Sequence, residues 1–358
     1  MIRRVVFGLT AMLLLVILVI AYNLVRHYVF WSPHEEVRFA SGTIELAGTL
    51  VKPEGSGPFP TVVMLHGSGR EPRFDPTGRA VINALVRHGI AVLAYDKRGV
   101  GESGGDFESA LYRDFIDDAL AAIDYLKTRP DVDGARLGLY TVSESGWFGP
   151  EIAIRRPAIR FIFNKVAPVM SRNDAVAWEV YNEALEAGVN PADAQRISQL
   201  ALRRWKYYIA TSEDPSLASG PRRDELQAQM TALRNQLGAH ADQVPEVVWP
   251  YDADEYAAFS ADASYDPTPW LNQLNIPQFY AYGGTDVNIP TRECLPIVAA
   301  LSKRPGADIT VRLYPDLGHS LLTWKGLFTA GFPPDYLDSL GRWAASHSDQ
   351  GSRKQGEF

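Results

Sequence analysis

The sequence predicts an α/β fold, in which helices cover both faces of a mostly parallel sheet. Between residues 61 and 166, short apolar runs rich in β-branched residues alternate with longer helical patterns, and the alternation resumes at residue 278. The composition, 46% hydrophobic and 22% charged over 358 residues, is that of a globular protein with ample material for a core. Together these observations indicate a folded, enzyme-sized body.

The first part of the predicted sheet lies between residues 37 and 166. It begins with a hairpin of two strands that turns at Ser41 and Gly42, followed by four strands and three helices in alternation. The predicted strands are residues 37–40, 44–51, 61–65, 90–95, 136–142 and 159–166, and the predicted helices are residues 77–88, 111–128 and 146–156. Gly89 ends the first helix, and Pro130 with an Asp-rich turn ends the second.

A helical insertion interrupts the alternation from about residue 171 to residue 265. Such an insertion between two strands of an α/β sheet often forms a lid over the ligand crevice. Its aromatic residues either pack as the core of a small helical subdomain or supply an apolar wall for the ligand; they are Trp178, Trp205, Tyr207, Tyr208, Trp249 and Tyr251. The α/β pattern then resumes with strands at residues 278–283 and 308–314 and helices at residues 291–302 and 335–346.

An apolar stretch at the N-terminus, residues 5–25, predicts a transmembrane helix, because about twenty apolar residues span a bilayer. Arg3 and Arg4 precede it and would stay cytoplasmic, which places the rest of the chain on the far side. A cleaved secretory signal is disfavoured because the run is long and no small-x-small triplet closes it. Arg26 and His27 weaken the charge bias, so the opposite orientation stays open. The alternative to a transmembrane helix is a helix buried in the core of the protein.

Charge and cysteine usage exclude several function classes. The net charge of −7 opposes attraction to nucleic acid, and the single cysteine, Cys294, allows no internal disulfide and no cysteine-based zinc site. Cys294 is expected to pack as a small hydrophobe.

A P-loop is excluded because Gly67 and Gly69 are not followed by its Gly-Lys-Ser/Thr ending. The glycines of residues 99–104 do not match a dinucleotide fingerprint, because charged residues 96–98 separate them from the strand; a tight loop held by Asp96 and Arg98 is expected instead.

The chain is organised around residues 137–150, where a buried strand passes into a helix at Ser143. A sharp strand-to-helix turn lifts the central side chain clear of the sheet, as in the G-x-S-x-G nucleophile elbow. Here the five residues are Thr-Val-Ser-Glu-Ser, so both glycines are replaced. Ser145 is small enough to fit, whereas Thr141 is bulkier than such a turn prefers. A Ser at this position could also be a plain helix N-cap.

Three further loops follow predicted strands at the same edge of the sheet. His66-Gly67-Ser68-Gly69 follows the strand at residues 61–65, and its glycines would let the backbone approach a ligand with free N–H groups. Asp286 follows the strand at residues 278–283, and His319 follows the strand at residues 308–314. Ligands of open parallel sheets bind beyond the carboxyl ends of the strands, so these side chains are expected to converge there.

These motifs resemble the α/β-hydrolase fold family, specifically its esterase-like branch related to dienelactone hydrolases and serine aminopeptidases. The resemblance covers residues 37–346 and is carried by four segments, which are His66-Gly67-Ser68-Gly69, Asp96-Lys97-Arg98-Gly99-Val100-Gly101-Glu102-Ser103, Gly283-Gly284-Thr285-Asp286 and Gly318-His319. It implies a catalytic triad in the chain order Ser143, Asp286, His319. Ser145, Asp316 and His66 are rivals for the three roles.

The resemblance implies acyl transfer to water without a metal or organic cofactor. Backbone N–H groups of Ser68 and Glu144 would form the oxyanion hole, and a small-molecule carboxylic ester is the expected substrate. Thioester or peptide hydrolysis would use the same machinery. The alternative from another class is a non-catalytic hydrolase-like binding module, motivated by the altered elbow and by a carboxylate, Glu144, beside the oxyanion position.

The predicted organisation is therefore a membrane-anchored hydrolase with its catalytic domain outside the cytoplasm. Residues 1–30 form the transmembrane anchor and juxtamembrane segment, residues 36–170 and 266–347 form the two parts of the α/β-hydrolase core, residues 171–265 form the lid, and residues 348–358 form a disordered tail.

Overall fold

The protein, a computed structural model, is described over residues 2–29, 32–326 and 329–348. The predicted tail lies almost wholly outside these residues. Eight strands form one sheet in the described part of the chain: β1 (His34–Ser41), β2 (Ile44–Val51), β3 (Phe59–Met64), β4 (Ala91–Tyr95), β5 (Val132–Val142), β6 (Ile159–Lys165), β7 (Gln278–Gly283) and β8 (Ile309–Tyr314).

The sheet has the order β1-β2-β4-β3-β5-β6-β7-β8. β1 pairs antiparallel with β2, and β2 pairs antiparallel with β4, whereas the remaining neighbours are parallel. The carboxyl ends of β3 to β8 therefore meet at one edge, which is where the loops carrying the predicted site residues emerge. This arrangement confirms the α/β class.

Helices cover both faces of the sheet. On one face, α2 (Pro76–Arg87) and α11 (Tyr336–Ser348) share a core with the strands; on the other, α3 (Tyr112–Lys127) and α4 (Ser145–Arg155) do so. A third cluster joins α10 (Thr291–Leu301) to Tyr280 and Tyr282 of β7. Strands buried on both faces carry near-continuous apolar runs, which is why the sequence pattern identified β3, β4 and β6.

Two strands are longer than the sequence pattern predicts. β1 begins at His34, because His34 to Glu36 pair with Thr49 to Val51 although their propensity for strands is low. β5 begins at Val132, where Phe59 pairs with Val132 before a register shift. In both cases pairing with a neighbouring strand, rather than local composition, sets where the strand begins.

The helical insertion lies between β6 and β7. It consists of α5 (Arg172–Glu186), α6 (Pro191–Glu213), α7 (Pro221–Leu237), α8 (Ala253–Ala263) and the short α9 (Thr268–Leu271), with 3-10 turns at Pro215–Ala218 and Gly238–Gln243. α5 to α8 enclose their own hydrophobic core around Tyr208, Met230 and Tyr256. Trp249 stacks on Tyr208 at 4.6 Å between ring centroids. Several of the aromatic residues singled out in the sequence thus pack against one another inside the insertion.

The N-terminal segment is a helix, α1 (Ile2–Tyr28), whose end is fixed to α2. The side-chain amide of Asn83 donates to the carbonyl oxygens of His27, at 2.8 Å, and Val29, at 3.1 Å. Further up the helix, large apolar side chains such as Leu15 are exposed to solvent.

In the described part of the chain, no helix is long and apolar enough to cross a membrane. The prediction that residues 5–25 span a bilayer gains no support from this finding. The side chains of residues 5, 6, 8, 9 and 11 lie outside the described ones.

The glycine-rich loop after β4 is held as a tight structural loop, as expected. The Asp96 carboxylate accepts from the backbone N–H groups of Arg73, at 2.7 Å, and Glu102, at 3.0 Å. A Cβ atom at Gly101, which has φ +57°, would lie 2.5 Å from that carboxylate, so only glycine fits. Arg98 forms ion pairs with Asp114 and Asp118 of α3 and so ties the loop to the helix.

Candidate active site

Ser143 occupies the turn between β5 and α4 and adopts a left-handed backbone conformation. Its φ is +48°, a value that non-glycine residues rarely adopt and that is found where the surroundings enforce it. Its N–H donates to the Lys165 carbonyl at 3.0 Å, and its carbonyl accepts from the Gly146 N–H at 2.8 Å. The residue is 8% exposed. The strain expected of a nucleophile elbow is therefore present although the glycines of that motif are absent.

Thr141 fits at the elbow because α4 supplies the missing small residue. Thr141 is fully buried, and its hydroxyl donates to the Asn164 side-chain oxygen at 2.7 Å. Its methyl group points at Gly149 on α4, where a Cβ atom would lie only 2.7 Å from Thr141 Cγ2. The close approach of strand and helix that normally requires a small residue on the strand is met here by glycine on the helix.

Ser145, a rival for the nucleophile, is part of the scaffold of the turn. Its hydroxyl donates to the Val142 carbonyl at 3.0 Å and accepts from the Val142 N–H at 2.8 Å. The residue is fully buried in the first turn of α4. Its hydrogen-bonding capacity is used by the backbone, which leaves Ser143 as the hydroxyl at the tip of the turn.

His319 and Asp286 are brought together by the loops after β8 and β7. The Nδ1 atom of His319 lies 3.0 Å and 3.1 Å from the two carboxylate oxygens of Asp286. Asp286 is 4% exposed, and it also accepts from the N–H groups of Asn288 and Ile289. With Nδ1 donating to this carboxylate, Nε2 is the nitrogen that can accept a proton.

The two loops meet through their backbones at Gly283 and Gly284. Cβ atoms there would lie 2.4 Å from the Leu317 carbonyl oxygen and 2.3 Å from that of Pro315, respectively. The rival acid, Asp316, is exposed on the outside of this contact. Of the two acids considered, the one that contacts His319 is Asp286.

The loop after β3 lies against Ser143. A Cβ atom at Gly67 would lie 3.7 Å from the Ser143 Cβ atom, and the Gly67 N–H donates to the Glu71 carboxylate at 2.9 Å. The N–H groups of Ser68 and Glu144 donate to no group among the described residues, so both are free for a ligand oxygen. The Ser143 hydroxyl likewise makes no hydrogen bond to any described residue, His319 included.

His66 is not suited to act as a base. Burial, with the nearby Lys97 charge as the second cause, lowers the pKa of His66 to about 3. Its ring packs edge-on against Tyr95, with 5.4 Å between centroids. The imidazole is therefore neutral at ordinary pH and supports the loop by packing.

The Glu144 carboxylate, which prompted the binding-module alternative, is engaged by Lys97. The ammonium group of Lys97 lies 3.1 Å from Glu144 Oε2 and also donates to the carbonyl oxygens of Gly67 and Gly69. The sequence carries one signal for this contact, since Lys97 lies two residues after the end of β4, at the carboxyl edge of the sheet. The sequence places Lys97 only within a motif shared with the family, because its acceptors lie in other segments of the chain.

The helical insertion contributes charged groups near the site. Glu179 of α5 interacts electrostatically with Arg172 and His319, and burial raises the pKa of Glu179. Arg172 donates to the Tyr112 hydroxyl at 2.9 Å and lies over the rings of Trp147 and Trp205 at 5.1 Å and 5.3 Å. The sequence does not predict that Glu179 and Arg172 lie near the site, because their position depends on how the insertion folds back. It identifies Trp205 only as one of the aromatic residues of the insertion.

The described residues contain no group of three or more His, Cys, Asp or Glu side chains placed to hold a metal ion. Cys294 is buried in the cluster beneath α10, and burial raises the pKa of its thiol to about 12. The thiol therefore packs as a small apolar group, as the sequence predicts.

Comparison with known proteins gives one family and several relatives. Residues 41–316 match the family model described as X-Pro dipeptidyl-peptidase (S15 family). The esterase EstD of Thermotoga maritima is 27% identical over 315 residues, which cover 83% of this chain and 65% of that protein. The chain thus spans just under two thirds of the length of this curated relative.

Solved structures resemble this fold over most of the chain. An esterase of Pyrococcus furiosus matches with a TM-score of 0.56 and 15% identity, covering 88% of this chain and 92% of that chain. Est1E of Butyrivibrio proteoclasticus, solved with ferulic acid bound, matches with a TM-score of 0.53 and 15% identity, covering 87% of this chain and 98% of that one. At these identities the likeness concerns the fold.

Proposed function

Because the chain belongs to the X-Pro dipeptidyl-peptidase S15 family, we propose that it is a serine hydrolase that cleaves carboxylic esters through Ser143, His319 and Asp286. One observation carries the proposal: His319 is held by a buried carboxylate at the sheet edge where Ser143 stands on a strained turn. The name of the relative EstD supports an ester as the substrate.

The reaction has two halves. His319 Nε2 takes the Ser143 proton as the Ser143 oxygen bonds to the ester carbonyl carbon, and Asp286 stabilises the resulting imidazolium. The tetrahedral oxyanion accepts from the N–H groups of Ser68 and Glu144; each such donor contributes about 3 to 4 kcal/mol to the transition state. The carbon–oxygen bond to the leaving group then breaks, and His319 gives its proton to the departing alcohol.

Water completes the cycle. His319 removes a proton from water as its oxygen attacks the acyl carbon, the bond to Ser143 breaks, and the proton returns to the serine oxygen. The carboxylic acid leaves, and the enzyme is restored. No step requires a metal or an organic cofactor.

Covalent labelling with a fluorophosphonate probe tests the nucleophile. We expect the wild-type protein to be labelled and to hydrolyse nitrophenyl acetate and butyrate, and Ser143→Ala to lose both properties. Ser145→Ala is the matched control, since it removes the neighbouring hydroxyl and should lower stability while keeping the label. Absence of labelling and turnover in the wild type would contradict the proposal and favour the binding module.

The family description makes a peptide substrate the competitor to be measured. A dipeptide anilide such as Gly-Pro-nitroanilide is the probe, compared with nitrophenyl butyrate by kcat/KM. We expect the ester to be preferred by far. A higher kcat/KM for the anilide would contradict ester specificity and leave the triad proposal intact.

We also propose that α1 associates the protein with a membrane and that the catalytic body lies outside the cytoplasm. The support is the exposure of many large apolar side chains along α1, from Met12 to Val25, and the position of Arg3 and Arg4 before them. Fusions of alkaline phosphatase and of a cytoplasmic fluorescent reporter to the C-terminus test the orientation. Active phosphatase with a dark fluorescent fusion is expected, and the reverse pattern would contradict it.

A further inference from the structure

We propose that Lys97 orients and polarises the oxyanion hole of this site, acting as a positioning residue that does not touch the substrate. The inference rests on the proposed function. It starts from the side chain of Lys97, which is 4% exposed and donates to the loop after β3.

All three hydrogens of the ammonium group have acceptors. Nζ lies 2.5 Å from the Gly67 carbonyl oxygen, 3.1 Å from the Gly69 carbonyl oxygen and 3.1 Å from Glu144 Oε2. An ammonium group has three donors and no acceptor, so this set satisfies it completely. One side chain thereby joins the loop after β3 to Glu144, the residue that follows Ser143.

The bond to Gly67 acts directly on an oxyanion donor. The Gly67 carbonyl and the Ser68 N–H belong to one planar, trans peptide unit, in which C=O and N–H point in opposite directions. Fixing the carbonyl oxygen on Lys97 therefore fixes the N–H so that it points away from the ammonium group. Gly67 itself lies against Ser143, since a Cβ atom at Gly67 would be 3.7 Å from the Ser143 Cβ. A charged donor on the carbonyl also polarises the peptide and strengthens its N–H as a donor.

The second oxyanion donor is controlled through Glu144. Its backbone N–H is free, while its carboxylate would oppose a developing negative charge if it turned toward the site. The ion pair with Lys97 holds that carboxylate below the loop and neutralises its charge. Lys97 thus orients one donor and removes a repulsive group from beside the other.

The surroundings keep the ammonium charge effective. Nζ lies 4.8 Å from the ring centroid of Phe115 and 5.5 Å from that of Phe107, so little water screens it. Gly67 is also held from its other end, because its N–H donates to Glu71. The residue before the oxyanion donor is therefore held at both its nitrogen and its oxygen.

Lys97→Met tests the proposal, because methionine fills similar space without charge or donors. We expect kcat for nitrophenyl butyrate, per active site titrated with the fluorophosphonate, to fall about 10- to 100-fold while KM changes little. The inhibition constant of a trifluoromethyl ketone, whose bound oxygen occupies the oxyanion hole, should rise by the same factor because the inhibitor binds more weakly. A merely structural role would lower the amount of active protein but leave that inhibition constant unchanged.

Lys52→Met is the matched control. Lys52 also lies partly buried between two carboxylates, those of Glu35 and Asp131, but at the opposite edge of the sheet. It should lower stability and leave both the titrated kcat and the inhibition constant unchanged. If Lys97→Met does not fold, Lys97→Arg replaces it: its planar group keeps the charge but cannot direct hydrogens to three diverging acceptors, so kcat and inhibitor affinity should still fall together, about 10-fold.

Two outcomes would overturn the inference, and they are distinguishable. An active wild type whose Lys97 variants keep their titrated kcat and inhibitor affinity within twofold would refute the role of Lys97 and leave the hydrolase proposal standing. A wild type that neither reacts with the fluorophosphonate nor hydrolyses esters would refute both.

Discussion

The proposed nucleophile side of the site, around Ser143, and the proposed acid–base side, around Asp286 and His319, are built by different means. On the acid–base side, backbone meets backbone: Gly283 and Gly284 let the β7 loop touch the β8 loop, and Asp286 reaches His319 across that contact. On the nucleophile side, contacts made by side chains hold the segments together. Thr141 is accommodated by Gly149, and Lys97 ties the loop after β3 to Glu144.

The difference explains why one side follows the family pattern and the other departs from it. A contact between two backbones tolerates no side chain, so its glycines are visible in the sequence. A contact made by side chains can be exchanged for another of equal fit, provided that a partner elsewhere in the chain changes too. The Thr-Val-Ser-Glu-Ser elbow therefore forms the same strained turn with different contacts in place of the two glycines of the motif.

The largest expected effect concerns the acid–base side. Asp286→Asn keeps an acceptor for the N–H groups of Asn288 and Ile289 but presents an amide to His319 Nδ1, which favours the wrong tautomer. We expect kcat to fall about 10³- to 10⁴-fold with stability nearly unchanged. Asp316→Asn, which changes an exposed carboxylate three residues before His319, should retain full activity; equal losses in both variants would contradict the assignment.

An intermediate effect concerns the packing of the nucleophile side. Replacing a helical glycine by alanine normally stabilises a protein by about 1 kcal/mol, but at Gly149 the new methyl would meet Thr141 Cγ2. We expect Gly149→Ala to lower the free energy of unfolding by about 2 kcal/mol in urea titration.

The double variant Gly149→Ala with Thr141→Ser completes the cycle, since serine lacks the clashing methyl but keeps the hydroxyl that bonds Asn164. It should recover much of the loss. If Gly149→Ala alone were stabilising, the account of how Thr141 fits would be wrong.

The smallest expected effect concerns the pH dependence of stability, which we assign to the nucleophile side. Burial raises the pKa of Asp262, which accepts from the Tyr112 N–H beside Glu144, from 3.8 to about 6. The folded protein then binds this proton more readily than the unfolded chain, so the free energy of unfolding falls as pH rises from about 4 to about 6.

Asp262→Asn removes this penalty and can still accept from Tyr112. It should raise the free energy of unfolding by about 1 to 2 kcal/mol at pH 7.5 and by little at pH 4, as measured by urea titration at both values. Asp266→Asn, an exposed carboxylate in the same segment, is the control. A gain of equal size at both pH values would contradict the assignment.

Much of the fold could be predicted from the sequence because its signals are local. Runs of buried strand residues and amphipathic helices placed most elements within a few residues, and the glycine motifs placed the loops at the correct edge of the sheet. The expected resemblance to esterase-like α/β hydrolases is confirmed by the family match and the likeness to EstD. The assignment of Ser143, Asp286 and His319 to a triad stays a prediction.

The remaining features depend on contacts between distant segments. Gly149 looks like an ordinary helical glycine until Thr141 is placed against it, and Lys97 looks like one member of a charged motif until its three acceptors are known. The interaction of Glu179 with Arg172 and His319 becomes apparent only when the insertion is folded over the core. Sequence periodicity carries no information about such pairs, because each depends on the three-dimensional arrangement of separate elements.

The hydrogen bonds from α2 to the end of α1 fix the orientation of the N-terminal helix relative to the rest of the protein. With Asn83 and Arg87 reaching the last carbonyl groups of α1, the catalytic body has little freedom to swivel about that helix. If α1 binds to a surface, its orientation there would therefore determine which way the opening of the site faces. Asn83→Ala would remove two of these hydrogen bonds and loosen the orientation of α1 without altering any group at the site itself.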